Sequence, residues 1–138
     1  MIIAHRSSRP RAGSAAVEFA IVGPLMIVML MGMVVYGGWL WLAQSVQTLA
    51  TESARAAIGG LDAAEQRRIV SDFVASEVAS SAALDGDRLA VSVESDAARI
   101  RVRVALDVSD HPLMMMSVVT PPPPSTIRRS AVVRTGGY

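Results

Sequence analysis

The chain is predicted to be an α+β protein: a single N-terminal transmembrane helix extends outward as a long stalk, then feeds a second helix and a small antiparallel β-sheet. Three observations carry this prediction. No Asp, Glu, Lys or Arg occurs from Phe19 to Ala43. The residues that follow keep helical spacing, with Val46, Leu49, Ala50, Ala57 and Ile58 on or near one face. Two later stretches change to period two, the spacing of strands with one buried face.

The elements follow in chain order. Residues 1–13 form a basic leader with Arg6, Arg9 and Arg11 and no acid. Residues 14–43 form the transmembrane helix. Its uncharged part would extend about 37 Å as a straight helix, enough to cross a hydrocarbon core of about 30 Å with some tilt. A secretory signal has an apolar stretch of only about 7–15 residues, so this run exceeds one. Arginines precede the run, and no basic residue follows before Arg55. That asymmetry keeps the N-terminus cytoplasmic and exports the rest. Tyr36, Trp39 and Trp41 gather at the far end, as expected of rings at a membrane interface.

Within this helix three features stand out. Glu18 is the only carboxylate or basic side chain between Arg11 and Glu52, and a carboxylate at the mouth of a membrane segment is costly if it lies deep. Pro24 cannot donate to the carbonyl of Ala20, so a kink or loosening is expected there, next to Gly23. Ala16, Ala20 and Gly23 form a small-residue stripe at which another helix could approach.

Residues 44–60 are expected as a helical stalk ending at Gly59-Gly60, and residues 61–138 as the exported α+β head. Asp62 with Glu65 gives an N-cap and its capping-box partner. An amphipathic helix then runs to about Ser80, with Ile69, Val70, Phe73, Val74 and Val78 on its apolar side. Asp85-Gly86-Asp87 marks a turn. Leu89, Val91 and Val93 alternate with polar residues, as do Ile100, Val102, Val104 and Leu106, across a short Ser95–Ala98 link. This is a hairpin pattern, and a last strand is expected from Ile127 to Arg134. Leu113–Val119 is apolar but too short to cross a membrane, and its methionines suit core gaps. Pro121–Pro124 is a stiff spacer.

Composition narrows the function. Net charge is +1, and after residue 43 ten arginines face eleven carboxylates. The arginines at 99, 101, 103, 128, 129 and 134 lack the aromatic platforms of single-strand binders. They are expected as a solvated strand face pairing with Glu94 or Asp96, and nucleic acid is not an expected partner. The chain has no cysteine and only two histidines, His5 and His111. Asp107, Asp110 and His111 are the sole cluster of catalytic residue types, without a nucleophile beside them. No enzymatic activity, metal site or cofactor is expected.

Arg11-Ala12-Gly13-Ser14-Ala15-Ala16-Val17-Glu18-Phe19-Ala20, followed by a proline-containing apolar helix, resembles the TadE-like family. These are minor pilins or pseudopilins of tight-adherence (Tad/Flp) pilus systems, related to type IV pilins. The resemblance is closest over Arg11–Gly60, where Gln44–Gln47 and Glu52–Ala57 also fit the family's helix. It implies cleavage by a prepilin peptidase between Gly13 and Ser14, on the cytoplasmic face. It also implies a role for Glu18, with Phe19 and Pro24, in assembly. The new amine at Ser14 would be offset by a neighbouring subunit's Glu18. The implied partners are the inner membrane, the prepilin peptidase, other pilins or pseudopilins and the Tad assembly machinery. The implied location is the bacterial inner membrane, single-pass, with the head periplasmic or extracellular. The competing expectation is a signal-anchored periplasmic binding or sensor domain unrelated to pili.

Overall fold

The computed structural model describes residues 12–135; the basic leader with Arg6, Arg9 and Arg11 lies outside the described residues. A single helix, α1, runs from Ala12 to Ala56 and continues through Pro24. Ala, Leu and Met supply 17 of its 45 residues and favour helix. It ends in a tight 3₁₀ turn, Ala57–Gly59, after which Gly60 is extended. A Cβ at Gly60 would lie 2.8 Å from the backbone nitrogen of Gln66 and 2.7 Å from its Cγ. The turn therefore needs glycine because the start of the next helix approaches it so closely.

That next helix, α2, spans Ala63–Ser80. The Asp62 carboxylate accepts from the N–H groups of Ala64 and Glu65, both at 2.8 Å, which satisfies two of the four donors a helix start leaves free. Glu65 reaches back as expected, but accepts from the N–H of Leu61 at 2.8 Å rather than from Asp62. Val70 and Val74 are buried, and Ile69, Phe73 and Val78 are half-buried, so the predicted apolar side is the side that packs.

The sheet has three antiparallel strands in the order β1 (Leu89–Ser95), β2 (Arg99–Asp107), β3 (Thr126–Arg134). β1 and β2 form the expected hairpin. Asp96 closes its turn by accepting from the N–H groups of Ala98 and Arg99, both at 2.8 Å. On β2, Ile100, Val102, Val104 and Leu106 are all buried while Arg99, Arg101 and Arg103 are exposed. In register, Val104 lies between Val91 and Arg129, and Val102 between Val93 and Ala131. Helix α1 lies across β2 and β3, and α2 packs on α1 and β1.

One core results. Leu42, Ala43, Val46, Leu49, Ala50 and Ala54 of α1 and Ala57 of the 3₁₀ turn join Val70 and Val74 of α2 and the inner face of the sheet. The alanines let backbone and sheet approach closely. Residues 44–56, expected as a stalk, thus form one wall of the head. Two further ties close the far end. The buried Gln66 donates to the Gly60 carbonyl at 3.2 Å and accepts from the Ser95 hydroxyl. Thr135 donates its N–H to the Ala98 carbonyl at 3.1 Å.

Between β2 and β3 the chain makes a short helix, α3 (Pro112–Met115), a 3₁₀ turn over Met116–Val118 and the Pro121–Pro124 segment. Leu113 and Met114 pack on the core, as expected of the apolar run. Met115, Met116, Val118 and Val119 do not; all four are exposed.

Candidate functional site

The lower half of α1 stands clear of the head. Val17, Phe19, Ile21, Leu25, Met26, Ile27, Met29, Leu30 and Met33 are large, apolar and exposed. Burial begins at Val35, which is fully covered. A helix that is apolar all round and unburied is suited to lipid. By length and composition α1 is the one membrane-crossing candidate among the described residues, and its bare half is a single-pass membrane anchor.

The residues expected to carry processing and assembly sit together at the start of this bare half. Gly13 and Ser14 lie in the first turn of α1, where backbone N–H groups have no helical acceptor. An added Cβ at Gly13 would meet nothing within 4 Å. Glu18 is exposed one helical turn beyond Ser14. Phe19 is also exposed, and its ring lies 3.8 Å from where a Cβ at Gly23 would be. That is an ordinary contact distance, so the ring would also tolerate a Cβ at position 23. Pro24 follows, leaving the Ala20 carbonyl without its usual donor.

The three aromatic residues expected at the membrane interface separate. Trp41 is exposed. The Tyr36 hydroxyl donates to the Pro121 carbonyl at 3.0 Å, and the Trp39 indole N–H donates to the Pro124 carbonyl at 2.9 Å. Two rings of the helix therefore hold the proline segment against it. Glycine at 38 leaves room for the approach, and the contact at Gly32 is an ordinary one. The Leu113 δ-carbons would be 2.7 and 2.9 Å from a Cβ at Gly38, and the Thr120 methyl 3.6 Å from one at Gly32. Sequence reasoning missed this seat, because nothing local links residues 32–39 to residues 113–124. The only trace was glycine at helical positions where alanine would favour the helix.

The Asp107, Asp110 and His111 cluster is occupied structurally. Asp107 accepts from the Ser109 N–H at 2.9 Å. Asp110 pairs with Arg88 at 3.3 Å, and Arg88 also bridges Asp85 at 3.3 Å. His111 Nδ1 accepts from the Leu113 N–H at 3.3 Å and so caps α3. The arginine face behaves as a solvated strand face: Arg103 pairs with Glu94, while Asp96 serves its own turn. Backbone N–H donors hold the carboxyls of Asp62, Asp96 and Asp107 below the usual aspartate range.

Against this geometry, the comparison with known families returns a match confined to α1. Residues 13–55 match the TadE-like protein family. No curated protein and no solved structure matches the chain. The TadE-like segment begins at Gly13 and ends at Arg55, one residue before α1 does. It covers the bare anchor and the buried wall alike, and leaves α2 and the sheet outside.

Proposed function

We propose that the chain is a minor pilin or pseudopilin of a Tad-type (Flp) pilus system, acting in assembly or priming of a pilus for surface adherence. In this reading a prepilin peptidase cuts between Gly13 and Ser14 at the cytoplasmic face of the inner membrane. The N-terminus stays cytoplasmic and the head is periplasmic or extracellular. The observation that carries the reading is the TadE-like match beginning at Gly13. It coincides with a small-residue step, an exposed Glu18 and the half of α1 that stands clear of the head.

The chemistry is coherent. Cutting at Gly13 creates an ammonium at Ser14. Glu18 of a neighbouring subunit offsets that charge where both groups leave water, which lowers the cost of bringing stems together. The bare half of α1 then serves two surroundings in turn, lipid before assembly and other stems after it. Phe19 and Pro24 belong to the packing surface, and Pro24 gives it a point of local give. The partners are the peptidase, other pilins or pseudopilins and the Tad machinery. The head works as a binding or spacing element, not as an enzyme.

Intact-mass measurement of the chain from its native cell, with and without the cognate peptidase, tests the reading. Loss of residues 1–13 only when the peptidase is present is expected, and Gly13→Leu should abolish it. A chain still starting at Met1 overturns the proposal. Glu18→Gln should leave processing intact while reducing surface attachment.

A further inference from the structure

The exposed apolar loop between β2 and β3 has a definite place along the membrane helix, and helix geometry fixes its depth. Twenty residues separate Glu18 from Gly38, a rise of about 30 Å, which is the thickness of the hydrocarbon core. With the Glu18 carboxylate at one boundary, Gly38 stands at the other. Leu113 packs at Gly38, and Thr120 packs at Gly32, six residues further down. The loop therefore descends alongside α1 to a level about 9 Å inside the outer boundary. Interfacial elements bury their apolar side about 5–10 Å into a bilayer.

We propose that Leu113–Pro124 inserts into the outer leaflet of the same membrane, as a second, shallow anchor beside α1. The occupant of its exposed face is lipid. Val118 and Met115 are 88% and 75% exposed, although both are apolar. They continue the lipid-facing surface of the bare stem rather than forming an isolated patch. Between Asp110 and Arg128 there is no Asp, Glu, Lys or Arg, so no formal charge has to be desolvated.

Part of the loop's polar backbone is paired, as the hydrocarbon region demands, while the buried Thr120 hydroxyl has no partner among the described residues. Four consecutive prolines bring no N–H donors. Two of their carbonyls, Pro121 and Pro124, accept from Tyr36 and Trp39. The Ser117 hydroxyl donates to the Met114 carbonyl, and the Met114 N–H donates to the His111 carbonyl at 2.8 Å. The two rings that would ordinarily reach for headgroups thus satisfy the loop from within. The inference needs α1 to cross a membrane but does not depend on the pilus reading.

The chain has no cysteine, so single-cysteine variants report cleanly. Full-length M115C, V118C and A97C carry an environment-sensitive fluorophore in vesicles of phosphatidylethanolamine and phosphatidylglycerol. Ala97 is the control: it is exposed in the hairpin turn at the far end of the head, beside Ile58 and Gly60. Lipids spin-labelled near the top of the acyl chain should quench M115C and V118C several-fold more than A97C, with blue-shifted emission, at every protein-to-lipid ratio. Quenching at both sites no greater than at A97C overturns the proposal. Protection that develops only as the protein-to-lipid ratio rises also overturns it, and assigns the face to a second copy of the chain.

Discussion

The uncharged run Phe19–Ala43 continues from one half of α1 into the other, yet the two halves have opposite surroundings. From Gly13 to Val34 the side chains face outward almost without exception. From Val35 to Ala57 one face, built on Leu42, Val46, Leu49, Ala50 and Ala54, is buried against β2, β3 and α2. Lipid and a protein core accept the same apolar side chains, so the uncharged run does not mark the change of surroundings at Val35. What separates them is size and spacing. The buried half carries alanines on the contact face, where a sheet must come close. The bare half carries Met, Leu, Ile and Val all round, which suits a fluid solvent with no fixed neighbour.

The comparison can be broken most directly by cutting the same side chain in each half. Leu42 is 1% exposed, and Leu42→Ala should destabilise the head by about 2–5 kcal/mol. Leu30 is 56% exposed, and Leu30→Ala should change head stability by less than about 0.5 kcal/mol. Denaturant titration in micelles, read by near-UV circular dichroism, measures both. Equal losses would dissolve the distinction.

Where the buried half ends, Gly60→Ala should cost about 1–3 kcal/mol, because the added carbon meets Gln66 backbone that cannot move aside cheaply. Calorimetry on the same preparation would register it as a lowered melting temperature; an unchanged one would mean that the α1–α2 turn is looser than its contacts imply. At the boundary between halves, Tyr36→Phe removes one hydrogen bond and nothing else, an expected loss of about 0.5–1.5 kcal/mol. Fluorescence of Trp39, which shares the proline seat, should shift with it.

The smallest expected effect is a pH dependence confined to the head. Asp62, Asp96 and Asp107 have carboxyls lowered first by backbone hydrogen bonds. A group lowered on folding binds fewer protons folded than unfolded. Its stabilisation is therefore complete above the unfolded aspartate value of about 3.9 and is lost as pH falls through the lower folded values. Head stability should decline modestly below about pH 4, and replacing the three by asparagine should flatten that decline.

Much of the fold was legible because its signals are local. Asp62 caps α2 through neighbours two and three residues away. The alternation of Ile100, Val102, Val104 and Leu106 with arginines fixes which face of β2 is buried, whatever covers it. The hairpin turn is closed by Asp96 and its immediate neighbours. Ser14 and Glu18 were expected on the membrane helix and Gly13 in the leader before it, whereas all three lie in α1. The aromatic residues were legible only in part. Their position near the end of the membrane run was plain, but their partners were not.

Sequence by itself thus determined that an uncharged helix long enough to cross a bilayer leads into a helix and a three-stranded sheet, because periodicity, caps and turns act over a few residues. Only the tertiary structure decided where along α1 the lipid-facing surface gives way to protein core. It also decided that Tyr36 and Trp39 serve proline carbonyls 85 residues away, and that Leu113 and Met114 turn inward while Met115 and Val118 turn out. Those outcomes depend on which surfaces meet through space, and glycine at 38 mattered only once Leu113 of a distant loop arrived to lie against it.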